Sequence, residues 1–167
     1  MTEAPATDAS PSLRAAQDPN AYAALGRAVS YMMTKPAFAN APFGHWAKTL
    51  TGQINRKHYF FVLRDGKIAG FAGWAFVEDA KARLWLEGKF DVGYADSLDG
   101  DCVIINAWAS EDEIVNRFIL QELRRVALKK KRAYAKRFYK DGRVRPVILE
   151  INEFVESHAA RGTRTPG

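Results

Sequence analysis

Few side chains in this chain could do chemistry, so where they stand matters. Asn106 lies inside the apolar run VIINAW, where an amide has little water to bond and needs partners of its own. It can orient a substrate or a neighbouring side chain, or it can serve as a structural hydrogen-bonding residue; the sequence leaves both open. His45 stands in MTKPAFANAPFGHWAK, residues 33–48, among aromatics and two prolines, and an imidazole can act as a general base. His58 opens a β-rich run. The plain reading of either histidine is a polar group satisfied at the edge of the core. Neither has H-E-x-x-H spacing or a local Cys or Asp cluster, so the pattern offers no metal site. Cys102 begins a strand in which Ile104, Asn106 and Trp108 would share its face by two-residue alternation. A cysteine there packs as a small core residue more readily than it acts as a nucleophile.

A second feature is basic. The run LRRVALKKKRAYAKRFYK, 123–140, holds nine Lys or Arg residues interleaved with Tyr134, Phe138 and Tyr139. Cations with aromatics suit a nucleic-acid surface, because phosphates attract cations and unpaired bases stack on rings. Arg124, Arg125, Lys129, Lys130, Lys131 and Arg132 equally suit an acidic protein partner, or simply form the solvated end of an amphipathic helix. No helix-turn-helix, zinc-finger or ribonucleoprotein signature favours nucleic acid. Phosphate-binding glycine loops are also missing: neither G-x-x-x-x-G-K-[ST] nor G-x-G-x-x-G occurs. The turn after the 102–109 strand reads ASEDE. Three acids at a strand-to-helix turn would repel a coenzyme diphosphate from the amides that usually hold one.

These residues need a scaffold. NAYAALGRAVSYMMTK carries Tyr22, Leu25, Val29 and Met32 at helical spacing, with Asn20 as cap, and the helix should stop before Pro36. A second helix is expected from Phe43 through Asn55. HYFFVLRDGKIAGFAGWAFV then gives two strands, 58–64 and 67–77, joined by the hairpin signal Asp65-Gly66. Gly70 and Gly73 point to a bulge or a close backbone approach in the second strand. EDAKARLWLEG forms a short helix ending at Gly88 with Leu84 and Trp85 inward. DCVIINAWA is a buried strand. Ser110 and Glu113 form a capping box for a helix whose stripe is Ile114, Phe118, Leu120, Leu123 and Val126. A hairpin turning at Asp141-Gly142 closes the fold. The order ααββαβαββ predicts an α+β protein, a mixed, mostly antiparallel sheet flanked by helices.

Length and charge set the bounds. The 167 residues allow one domain, read as 20–156, after a disordered leader at 1–19 rich in Ala, Pro, Ser, Thr and Asp and before a loose tail at 157–167. The formal charge of +6 favours an acidic partner. A single cysteine excludes an internal disulfide and fits a reducing compartment. No signal-peptide pattern and no run near the ~20 apolar residues of a membrane span occurs, so a cytoplasmic protein without a membrane span is expected.

The pattern ALGRAVSYMMTKPAF, then YFFVLRDGKIAGFAGWAFV, then GDCVIINAWAS resembles the RTX toxin-activating lysine acyltransferases, over Leu25 to Glu150. The landmarks are the Leu-Gly of the first helix, Pro36, the RDGKIAGFAGWA hairpin and the Gly-Asp ahead of Asn106. The resemblance implies a cytoplasmic enzyme of GNAT-like fold that binds no resident cofactor. It would take a fatty acyl group from acyl carrier protein and place it on internal lysines of a secreted RTX-type protein, and it would form a homodimer. The family uses a histidine in a Pro-x-His setting and an aspartate on the later strand. Carried over residue by residue, Pro36 matches, Phe38 stands at the histidine position and Asn106 at the aspartate position. Phe38 cannot take a proton, and Asn106 can orient a partner without supplying charge. His45 is then the candidate substitute base. The alternatives are a catalytically silent relative that binds an acidic protein and a nucleic-acid-binding module.

Overall fold

The computed structural model describes residues 12–139, 141 and 143–151. The chain is α+β: six strands form one sheet in sequential order, β1 to β6, with helices on its faces. All neighbouring strands run antiparallel except β4 and β5, which are parallel.

The first strand, β1 (Leu13–Ala16), pairs with β2 (Tyr59–Arg64), which corrects the expectation of a leader without structure through residue 19. LRAA carries almost no β signal of its own; the open edge of β2 supplies the pairing. Residues 1–11 and the expected tail lie outside the described residues. Helix α1 (Ala21–Met32) starts where Asn20 accepts a hydrogen bond from the Ala23 N–H, and it ends before Pro36 as expected. A short extra helix, α2 (Pro36–Ala39), follows with proline in its first turn, where the missing N–H costs nothing. Helix α3 (Phe43–Arg56) closes on Lys57 in the left-handed region.

The Asp65-Gly66 turn joins β2 to β3 (Lys67–Val77), with both residues at positive φ. Bulges fall beside both glycines. Val62 pairs with Gly70 and Leu63 with Ile68, leaving Ala69 extra, while Gly73 opposes Ala107 and Trp74 opposes Ile105, leaving Asn106 extra. That second bulge, in β4 (Cys102–Ser110), overturns the simple alternation. Cys102 and Ile104 pack with Tyr134 and Ala82, but beyond the bulge Trp108 packs on the opposite face with Val103 and Ile105.

Helix α4 (Asp79–Leu86) buries Ala82 and half-buries Trp85 but leaves Leu84 exposed, against expectation. Its first residue ties it to the sheet. The Asp79 carboxylate accepts from Tyr134 at 2.5 Å, Arg83 at 2.8 Å and Arg132 at 3.1 Å. Helix α5 (Glu113–Ala127) is capped by Asp112, not Ser110, which is the last residue of β4. The carboxylate wins because it also takes a fork of bonds from Arg64, at 2.7 and 2.9 Å. The buried stripe accordingly runs Val115, Ile119, Leu123 and Ala127, with Ile114 exposed. Strands β5 (Arg132–Phe138) and β6 (Val144–Glu150) form the closing hairpin; Gly142 of its turn lies outside the described residues. No helix among the described residues is long and apolar enough to cross a membrane.

Candidate functional site

Strands β4 and β5 pair only from Cys102 to Ile105 against Arg132 to Ala135. Past that point β4 stays with β3 to Ser110 while β5 stays with β6, so the two parallel strands part. The Asn106 bulge sits where they separate. A cleft of about 1030 Å³ opens there, lined by Asn106, Ala107 and Trp108 from β4 and by Ala135 and Lys136 from β5. It is large enough for an extended ligand.

Helix α3 adds His45, Thr49, Gly52 and Arg56, spaced four, three and four residues apart and therefore along one helix stripe. The segment after α4 adds Phe90, Val92 and Tyr94, beside Trp85 of the helix itself. Phe38, held in α2, meets Trp46 edge-on at 4.4 Å, and both rings line the cleft. Phe38, His45 and Asn106 all line this cleft.

Asn106 does have a partner, and the sequence reading did not name it. Gln53 of α3 has no exposed surface, and its Nε2 donates to Asn106 Oδ1 at 2.5 Å. Gly73 makes the room: a Cβ there would come within 2.2 Å of the Gln53 amide carbon. Among the described residues Gln53 Oε1 is buried without a partner, and Asn106 Nδ2 makes no hydrogen bond. The signal was available, since Gln53 falls between Leu50 and Ile54 on the buried face of α3. Eight residues separate His45 from Gln53, a rise of about 12 Å along the helix, so His45 lies well along the cleft from the amide pair. Its ring sits edge-on to Trp46 at 5.8 Å.

The other candidates fall elsewhere. His58 is half-buried between Trp74 and Phe76, with Nδ1 unpartnered. Burial first, and the charges of Arg56 and Lys130 next, push its imidazole down to about 4, so it is neutral at neutral pH; it does not line the cleft. Cys102 is buried, with its thiol against Asp79 at 3.4 Å. Burial pushes that thiol up to about 12, which removes it as a nucleophile.

The basic run gathers at the other end of β4. Arg132 pairs with Cys102 in the ladder, and the Lys131 N–H bonds the Asp101 carbonyl, about 13 Å along the strand from Asn106. Much of its charge is engaged within the chain. Arg125 meets Glu122 at 2.8 Å, Lys131 meets Asp101 at 3.1 Å, and Arg132 bridges Asp79 and Glu150. Lys130 Nζ donates to the Gly100 carbonyl at 2.6 Å and lies over the Phe76 ring. Arg124 is half-buried at the end of α5, and Lys129 is exposed. The acids of ASEDE are also tied, Glu111 to Lys35 at 2.8 Å and Asp112 to Arg64. Asp112 moreover occupies the Val115 amide at the start of α5, leaving that turn unsuited to a diphosphate. No protein-family model and no curated protein matches the chain.

Proposed function

We propose that the chain is a protein-lysine acyltransferase that takes a fatty acyl group from acyl carrier protein and places it on lysines of an RTX-type secreted protein. The observation that carries this reading is the parting of β4 from β5 at Asn106. Beyond Ile105 the edge of β4 that faces β5 has no ladder partner among the described residues, so an extended arm bearing amides could pair along it as an added strand. Aromatic side chains beside that edge suit a fatty chain. The sheet order, with one parallel pair, β4 and β5, among antiparallel neighbours and helices on the faces, supports the GNAT-like layout that the sequence resemblance implies. The occupied, acidic turn ahead of α5 favours a carrier-protein thioester over a coenzyme held by its diphosphate.

In this reading a lysine ammonium first gives up a proton, because only the neutral amine attacks a thioester. His45, the imidazole that lines the cleft, takes that proton in place of the residue lost at Phe38. The amine nitrogen adds to the thioester carbonyl beside His45, while Asn106 Nδ2, well along the cleft from it, donates to an amide oxygen of the extended acyl-carrying arm, and Gln53 holds the Asn106 amide in orientation. As the nitrogen adds it gives a second proton to His45, which has released the first to solvent; the carbon–sulfur bond then breaks, and His45 passes that second proton to the carrier's thiolate as it leaves. Reaction in the cytoplasm and acidic carrier docking against the basic molecule belong to the same proposal.

Transfer of a radiolabelled acyl group from purified acyl carrier protein to a lysine-bearing client fragment tests the mechanism. His45→Ala is expected to slow transfer by roughly 10² to 10⁴, the usual contribution of a general base. An unchanged rate removes His45 from the chemistry. The silent-relative alternative predicts carrier binding with no transfer by either protein.

A further inference from the structure

Arg56 is a half-buried cation at the cleft. It projects from the last turn of α3 into the cleft, with its guanidinium folded against Gly52, where a Cβ would lie 2.7 Å from Nη1. Among the described residues its only hydrogen bond is a long one, from Nη2 to the Trp74 carbonyl at 3.4 Å. Nε is buried and has no partner among the described residues. No carboxylate pairs with it among the described residues, although a guanidinium offers five donors in a planar fork. Burial lowers its affinity for its proton, with Tyr94 alongside as a partial offset. Leaving a desolvated charge unpaired costs stability, and a ligand that supplies the missing anion would recover it.

The rest of the lining agrees. Lys48 and Lys136 join Arg56 there, against a single carboxylate, Asp91. Lys136 is itself half-buried, with Nζ 4.4 Å from the Trp85 ring centroid. Around these cations stand Phe38, Trp46, Trp85, Phe90, Ile105 and Trp108. A cation-bearing cleft with aromatic sides fits a molecule that is anionic at one point and apolar over much of its length.

We infer that the cleft binds an amphiphilic oxyanion, a phosphate on an extended arm that carries an alkyl chain, and that Arg56 grips the phosphate with its fork. The fork geometry matches phosphate oxygens two at a time. A carrier-protein prosthetic arm and a free lipid phosphate share this chemistry. The inference uses the cleft proposed above for acyl transfer but not the transfer itself.

The test uses the full chain and its own tryptophans, since Trp46, Trp85 and Trp108 line the cleft. Decyl phosphate below its micelle concentration is expected to change their emission saturably, and decanol to bind more weakly. Arg56→Gln should weaken decyl phosphate by roughly tenfold to a hundredfold, the range for a charged hydrogen bond, and leave decanol unchanged. Arg56→Lys, which keeps the charge and loses the fork, should fall between. Because Arg56 is unpaired, Arg56→Gln should unfold at the same or a higher urea concentration than the wild type. Equal binding of decyl phosphate by Arg56→Gln, decanol bound as tightly as decyl phosphate, or a clear loss of stability in Arg56→Gln each overturns the inference. S-decanoyl-4′-phosphopantetheine binding more tightly than decyl phosphate identifies the carrier arm as the source, and the reverse order identifies a free lipid phosphate. Arg56-dependent binding without lysine acylation leaves this inference standing and removes the acyltransferase reading; acylation without Arg56-dependent binding does the opposite.

Discussion

Gln53 has no exposed surface and a carbonyl oxygen with no partner, so its retention in the core asks for a reason. Its amide can lie where it does because residue 73 is glycine, and what it reaches is Asn106. Three residues from α3, β3 and β4 are therefore one device. Gly73→Ala should force the Gln53 amide out, at a cost of about 1–3 kcal/mol, as for other overpacked sites. Most of that loss should disappear when Gln53→Ala is present as well, because the clash is between these two side chains. Urea unfolding of the wild type, both single variants and the double variant measures the coupling; strict additivity would contradict the device. From sequence Asn106 was legible as a buried amide needing a partner, since its neighbours are apolar. Gln53 was not singled out, although it shares the buried face of α3 with Leu50 and Ile54, because its reach past Gly73 to Asn106 is a tertiary fact. Arg56 was missed for a related reason: whether an arginine has an acid beside it is a tertiary fact.

At the scale of elements, patterns within one segment were read well and patterns between segments less so. The Asp65-Gly66 hairpin, the Asn20 cap and the stop before Pro36 are local chemistry, and each is found where expected. The β4 bulge is a matter of register against β3, and it moves Trp108 to the other face. The start of α5 was displaced because Arg64, 48 residues away, strengthens Asp112 as the cap. Strand β1 has too few β-forming residues to announce itself. The elements also respond to acid in separate windows. The junction of α3 and β2 holds His58 neutral, with a folded value of about 4 against an ordinary 6.5. The unfolded chain therefore binds this proton first as pH falls. Its stabilising contribution is complete above about pH 6.5 and is lost between there and about pH 4. The Asp79 carboxylate that ties α4 to β5 is held well below its ordinary 3.8 by Tyr134 and Arg83, with Arg132 contributing less, so its contribution is lost only below that value. Urea midpoints should fall between pH 7 and pH 4.5 by the equivalent of about 1–2 kcal/mol, a figure reduced for partial exposure. His58→Phe should flatten that window; an unchanged slope in the variant would contradict the assignment.

Over the whole molecule the charges are sorted by use. Most of the basic run at the α5–β5 junction is answered by Glu122, Asp101, Asp79, Glu150 and a backbone carbonyl, while the cleft at the far end of β4 keeps a cation without an acid. The α+β order was legible because the strands and helices other than β1 and α2 carry their own hydrophobic pattern. The cleft was not, because it arises where two strands part, and no single segment records that. The central claim is that this cleft performs acyl transfer to protein lysines, and mass spectrometry of a client tests it most directly. The chain would be co-expressed with acyl carrier protein and a candidate RTX-type client, alongside Asn106→Ala. Lysines of the client carrying the mass of a fatty acyl group with the wild type, and few or none with Asn106→Ala, are the predicted result. Unmodified lysines under conditions where an authentic toxin-activating acyltransferase modifies its own client, or equal modification by both proteins, would contradict it.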